Sequence, residues 1–288
     1  MTWTIVSTEI RKTESGVTNF VDTGLINVPA DKAKAVARKE IPCPICGERE
    51  DYGRSIRWKL SNEKGETRYD YKPCVCGKLK YLWQERVRAI PPHDRDLTLG
   101  GLAPSEKSQL PIEVQKEVIA ELKANPSGSY AFIGPAGTSK TSFCVALYVQ
   151  ALYTHIWNNW PVLICDCIWR VSAKTLLDDF VAEATSKEEK NGKRIVPAVN
   201  RAKIAKASDA GFKPRLFLEE IDKVRYTEFK INALFEVLDA IYEYNGQLVL
   251  NTNLPIPKFS ALFGDEAGPA IVRRIGEVCK VINFFPQP

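Results

Sequence analysis

Ser129–Thr141 reads SYAFIGPAGTSKT: a short apolar run, a turn rich in glycine and proline, then lysine and threonine opening a mostly apolar stretch that reaches Ile156. An apolar run of this length bounded by turn residues is a buried strand, and the longer stretch has the length of a helix. The residues between them, Gly134, Pro135, Ala136, Gly137, Thr138, Ser139, Lys140 and Thr141, match the phosphate-loop pattern G-x-x-x-x-G-K-[ST], with Ser139 standing where the last glycine belongs. A strand–loop–helix setting turns backbone N–H groups and the positive end of a helix toward an anion. Lys140 is placed to neutralise the β- and γ-phosphates of a nucleotide, and the Thr141 hydroxyl to bind magnesium. Ser139 costs something here, because glycine adopts conformations that a side chain resists.

Working outward, Ile112, Val114, Val118, Ile119 and Leu122 recur at helical spacing behind Pro111, and Asn125-Pro126-Ser127-Gly128 ends that helix. Beyond the loop come PVLICDCI (161–168) as a strand, a helix opened by Ser172, RLFL (215–218) as a strand, and a helix presenting Ile231, Leu234, Phe235, Leu238 and Ile241 on one face. QLVL (247–250) and KVINFF (280–285) complete the strands. Five short apolar strands separated by helices predict an α/β core over residues 111–288, with a five-stranded parallel sheet covered on both faces.

Three further segments carry chemistry. Leu216–Asp222 (LFLEEID) is an apolar strand ending in carboxylates, of which Glu219 suits magnesium support and Glu220 the orientation of an attacking water. Asn253, in Asn251-Thr252-Asn253-Leu254-Pro255, lies at the carboxyl end of a strand, the edge at which such sheets bind ligands; Asn-Leu-Pro is also ordinary turn chemistry. Arg273 and Arg274 precede the last strand, where an arginine projecting into a neighbouring subunit's nucleotide site would stabilise phosphoryl charge, or where a surface pair would merely be solvated.

The succession GPAGTSKT, LFLEEIDK, LVLNTNLP, AIVRRIGEVCKVINFF resembles the AAA+ ATPases, whose Walker-A, Walker-B, sensor-1 and arginine-finger elements occur in that order. Within them it is most similar to the DnaC/DnaI-type helicase loaders and the IstB-type transposition ATPases. The stretch Arg86–Leu99 (RVRAIPPHDRDLTL) resembles the one joining the cysteine module to the core in loaders. The resemblance covers roughly residues 43–285. It implies ATP with Mg2+ as cofactors, nucleotide contacts at Gly134, Gly137, Lys140 and Thr141, magnesium at Thr141 and Glu219, and Glu220 as catalytic base. It also implies Asn253 as sensor 1 and Arg274 or Arg273 as the finger. Ser139 and Glu219 depart from the family pattern inside the catalytic centre, so ATP binding is expected and slow hydrolysis with it. The sequence stops at Pro288, soon after the last strand, and the expected architecture lacks a C-terminal helical lid.

Cys43-Pro-Ile-Cys46-Gly and Cys74-Val-Cys76-Gly form two close pairs, the arrangement of a structural four-cysteine zinc site: Cys43, Cys46, Cys74 and Cys76. SIRWKL and TRYDY flank Asn62–Gly65 as a hairpin between the pairs. His93 is a substitute ligand or a solvated connector residue. Cys144, Cys165, Cys167 and Cys279 sit in apolar contexts and read as core thiols. The expected division is an arm or docking segment over 1–41, a zinc-binding module over 42–78, a connector over 79–110 and the ATPase core over 111–288.

At 288 residues, 44% hydrophobic and 26% charged, the chain is globular; it shows no secretory signal and no apolar run long enough to span a bilayer, so a cytoplasmic protein is expected. The net charge of +5 is mild. Residues 182–215 alone carry nine Lys/Arg against four Asp/Glu, a net of +5. Lys187, Lys190, Lys193, Arg194, Arg201, Lys203 and Lys206 form either a DNA-phosphate surface or a solvated excursion. Three functions fit: a replicative helicase loader that uses ATP as an assembly switch on DNA as a homo-oligomer, an IstB-like regulator coating duplex DNA and recruiting a transposase, or a non-catalytic zinc-stapled adaptor.

Overall fold

The structure, a computed structural model, describes residues 3–8, 55–62, 67–73, 82, 84–159, 167–185, 197 and 199–285. The chain divides into two units, residues 1–100 with 152–162 and residues 101–151 with 163–288.

In the first unit, β1 (Trp3–Thr8), β2 (Ser55–Asn62) and β3 (Thr67–Pro73) form an antiparallel sheet in the order β1-β2-β3. The β2–β3 pair is the expected hairpin, with Ser61 opposite Thr67. β1 adds a strand inside the segment read as an arm, pairing Trp3 with Asn62 and shifting register between Ile5 and Ser7. Cys43, Cys46, Cys74, Cys76 and Cys165 lie outside the described residues. Residues 84–89 are helical, and a short 3₁₀ turn follows at Pro92–Asp94. Two arginines order this stretch. Arg95 donates to the carbonyls of Ile90 (3.0 Å) and Val87 (3.1 Å), and Arg86, fully buried, reaches the Arg95 carbonyl at 3.4 Å. Burial pushes the Arg86 guanidinium down to about 10, against the pull of Asp96.

The second unit holds the five-stranded parallel sheet. Its strands are β4 (Tyr130–Ile133), β5 (Ile168–Ser172), β6 (Arg215–Glu219), β7 (Gln247–Thr252) and β8 (Lys280–Asn283), in the order β5-β6-β7-β4-β8. β4 and β7 are buried at every residue, as strands at the centre of a sheet covered on both faces must be. β7 separates β4 from β6, so the phosphate loop and the acidic strand end stand on either side of the end of β7.

The helices are α1 (Ile112–Ala124), α2 (Lys140–Asn159), α3 (Ala173–Thr185), α4 (Arg201–Asp209), α5 (Glu228–Glu243), α6 (Ile256–Ala261) and α7 (Gly264–Val278). Their starts follow local chemistry. Ser172 Oγ accepts the Thr175 N–H at 3.1 Å, Asn200 Oδ1 the Lys203 N–H at 2.9 Å, and Thr227 Oγ1 the Lys230 N–H at 3.4 Å.

One sequence expectation changes, and another is met only at its end. Of the strand expected over 161–168, residues 161–166 lie outside the described residues; β5 runs Ile168–Ser172, with Trp169-Arg-Val pairing with β6 before Ser172 opens α3. On α1, Val118, Ile119 and Leu122 are buried as expected, whereas Ile112 is exposed and Gln115 takes the inner position. The Gln115 amide is satisfied there: Oε1 accepts the Ser105 N–H (2.8 Å), and Nε2 donates to the carbonyls of Ser105 (3.1 Å) and Leu110 (2.8 Å). A buried amide with three partners repays its desolvation. No helix among the described residues is long and apolar enough to cross a membrane.

Candidate nucleotide site

The phosphate loop joins β4 to α2. Gly137 and Ser139 have φ of 81° and 59°, so the position that the pattern reserves for glycine is left-handed here and carries a serine. At Gly134 a Cβ would come within 2.6 Å of Phe284 Cβ, and its N–H donates to the Thr252 carbonyl at 3.2 Å. Glycine at both 134 and 137 therefore follows from close approach and from φ respectively.

Lys140 is buried and turned back into the loop. Its ammonium donates to the carbonyls of Gly134 (2.7 Å) and Pro135 (2.6 Å) and to Thr138 Oγ1 (3.2 Å); Thr138 Oγ1 in turn donates to the Pro135 carbonyl (2.8 Å). Burial lowers the lysine's pKa, and the negative charge of Asp222 opposes the shift. Thr141 is exposed in the first turn of α2. The chain before α1 closes over the loop's far side: the Gln109 N–H donates to the Gly137 carbonyl at 2.9 Å, and Ser108 Oγ approaches the same oxygen at 3.4 Å.

Across β7, the acidic end of β6 is held by residues from β5, from β7 and from just beyond β7. Glu219 stands opposite Ser172 in the parallel ladder. Arg170, two residues earlier on β5, shares that sheet face, and its Nη2 donates to both Glu219 oxygens at 2.8 and 2.7 Å. The side chains are 8% and 14% exposed, which makes this an ion pair shielded from water. The same face carries Phe217, edge-on to Tyr148 of α2; the thiol of Cys144, also on α2, is pushed up by burial first and by Glu219 second.

Glu220 takes a left-handed φ of 55°, its N–H donates to Asn251 Oδ1 at 2.9 Å, and its carboxylate, half exposed, pairs with Lys223. Asn251 Nδ2 donates to Cys144 Sγ at 3.6 Å. Asn253 serves Asp222: its backbone N–H reaches Oδ1 at 3.1 Å and its Nδ2 reaches Oδ2 at 3.2 Å. Arg170, Asn251 and Asp222 are thus site residues that sequence reasoning passed over. Only Asp222 carried a signal, being the third acid in the run Glu219-Glu220-Ile221-Asp222.

The two candidate finger arginines differ. Arg273 is 72% exposed with a loose 3.9 Å approach to Glu277. Arg274, at 18%, pairs with Asp239 of α5 (2.7 Å) and Glu277 (2.8 Å) and lies 4.3 Å from the Tyr242 ring centre. Of the basic segment, Lys187, Lys190, Lys193 and Arg194 lie outside the described residues. Arg201 pairs with Glu243, and Lys203 and Lys206 follow it on α4.

The buried Lys140 ammonium and the exposed Thr141 hydroxyl are donors of the kind that bind a triphosphate. Among the described residues no group of three or more His, Cys, Asp or Glu is placed to hold a metal ion. The donors fit magnesium brought in on phosphate oxygens, which commonly uses one or two protein ligands.

No protein-family model and no curated protein sequence matches the chain. Among solved structures the chain is similar to the DnaC helicase loader, at 15% identity over 66% of this chain and 98% of that one, with a TM-score of 0.44. It is similar to AMPPCP-bound DnaA from Aquifex aeolicus at 13% identity over 69% of this chain and 51% of that one, TM-score 0.45. It is also similar to DnaI, at 10% identity over 69% and 93%, TM-score 0.43.

Proposed function

We propose that this protein is an ATP-binding AAA+-type protein that assembles on DNA with a partner, and that its role is that of a replicative helicase loader in which ATP acts as an assembly switch. The observation that carries nucleotide binding is the buried Lys140 ammonium inside a strand–loop–helix, flanked across the end of β7 by a cluster of carboxylates. The loader role rests on the order of motifs and on the Arg86–Leu99 stretch. Bound ATP with magnesium supplies a transferable phosphoryl group and a charge that neighbouring subunits sense.

In this reading Gly134, Gly137, Lys140 and Thr141 bind phosphate, the Lys140 ammonium exchanging its loop carbonyls for phosphate oxygens, the stronger acceptors. Glu220 orients water after leaving Lys223, and Asn253 senses the γ-phosphate. Arg273 is the exposed candidate for the finger acting on a neighbouring subunit; Arg274 is engaged within its own chain. Cys43, Cys46, Cys74 and Cys76 bind one structural zinc.

The test is a pull-down with a DnaB-type helicase, with and without ATP and magnesium, using the intact chain and Lys140→Ala. ATP-dependent capture that Lys140→Ala abolishes is expected, and capture indifferent to both sinks the loader role. ATP-dependent filaments on duplex DNA without helicase capture would favour the transposition reading. For zinc, metal analysis should return about one ion per chain, with chelation lowering stability; a metal-free, fully stable protein excludes the staple.

A further inference from the structure

We infer that Asp222, rather than Glu219, is the carboxylate that serves the metal side of this site, because Arg170 has already taken Glu219. The inference rests on the nucleotide reading above and concerns which acid acts within it.

The three carboxylates at the end of β6 differ in what holds them. Both oxygens of Glu219 receive hydrogen bonds from one guanidinium nitrogen of Arg170, in a pair almost closed to water. Its charge is balanced where the dielectric is low, and a divalent cation drawn to it would stand beside the arginine's own positive charge. That repulsion is stronger here than at an exposed pair. Glu220 is half exposed and paired with Lys223.

Asp222 is held differently: both of its oxygens are met by neutral donors, the backbone N–H and the side-chain amide of Asn253. Neutral donors orient a carboxylate without cancelling its charge. The 3₁₀ turn Ile221–Lys223 brings Asp222 round after Glu220, and β7, whose end delivers Asn253, is the strand next to β4. Asp222 thus stands just past the end of β6, one strand away from the phosphate loop with β7 between them.

The functional position has moved three residues along the chain. Glu219 became an internal counter-ion for Arg170, and the departure from aspartate at 219 costs the metal site nothing. Asn253 then acts as a positioning residue for the acid.

The experiment titrates a fluorescent ATP analogue into the intact protein with and without Mg2+, for wild type, Glu219→Gln and Asp222→Asn. Asp222→Ser is a second variant, since its hydroxyl can still accept from Asn253 if the amide folds poorly. Magnesium should tighten wild-type binding by about tenfold or more, equivalent to roughly 1.4 kcal/mol. Asp222→Asn and Asp222→Ser should lose that gain while keeping magnesium-free affinity within about twofold, and Glu219→Gln should retain the gain. Loss of the gain in Glu219→Gln, its survival in both Asp222 variants, or a wild type indifferent to magnesium overturns the inference. A wild type that binds no nucleotide under either condition sinks the nucleotide reading instead.

Discussion

The phosphate loop and the acidic strand end face each other across the end of β7, yet they are built in opposite ways. The loop is held mostly by local bonds onto its own backbone carbonyls: within eight consecutive residues, the Lys140 ammonium reaches those of Gly134 and Pro135, and two left-handed residues set the turn. The acidic end is held by side chains that arrive from elsewhere, Arg170 from β5, Asn251 from β7 and Asn253 from just beyond it, 31 to 49 positions from their partners. A backbone-held loop tolerates most substitutions outside its glycines and lysine. A side-chain-held cluster depends on each member, because each balances or orients another.

The sharpest way to break the loop's half of this contrast is Lys140→Ala. Nucleotide affinity should fall by at least about a hundredfold, roughly 2.7 kcal/mol, in a fluorescent-nucleotide titration. The fold should survive, since the carbonyls that the ammonium leaves belong to a loop that still has its backbone bonds. An unfolded variant would show that the loop depends on side chains after all.

On the other half, Arg170→Leu leaves Glu219 buried without its counter-ion and should destabilise the protein by about 3–5 kcal/mol in urea unfolding. Arg170→Leu with Glu219→Leu should recover most of that loss, as removal of a whole buried pair often does. If the single variant is as stable as wild type, the acidic end is not held together by its side chains.

A smaller effect separates Arg274 from Arg273. Arg274→Ala removes ion pairs to Asp239 and Glu277 and a contact with the Tyr242 ring, and should cost about 1–2 kcal/mol of thermal or urea stability. Arg273→Ala should stay within about 0.5 kcal/mol of wild type. Equal costs would remove the distinction between a structural arginine and an available one.

The smallest effect belongs to Ser139→Gly, which relieves a left-handed φ and should raise stability by up to roughly 1 kcal/mol. Nucleotide affinity should rise with it, because the loop then holds its turn without strain. A loss of stability would place the cost of Ser139 elsewhere than in φ.

The same contrast explains what could be read in the sequence. The loop, strands β4, β6, β7 and β8 and the cap at Ser172 are local: periodicity or a motif within a few residues determines them, and Ser172 is legible as a helix start from the sequence alone. Arg170 was not, because an arginine inside an apolar strand declares nothing until the β5–β6 register sets it diagonally beside Glu219. Gln115 was hidden for a related reason. Helical periodicity favoured Ile112 for the inner face, but the chain arriving from Ser105 needed hydrogen-bond partners there, and a buried amide supplies three at once. β1 could be placed only by pairing with β2, more than forty residues away.

That Gln115 amide gives the loop a mechanical property. The segment from Ser105 to Leu110 is anchored at both ends to one side chain on α1, and between the anchors Gln109 grips the Gly137 carbonyl. Like the clamp that keeps a tug on a cable from reaching its connector, the anchorage holds both ends of the 105–110 segment to α1, so that the hydrogen bond to the phosphate-loop carbonyl starts from a fixed span.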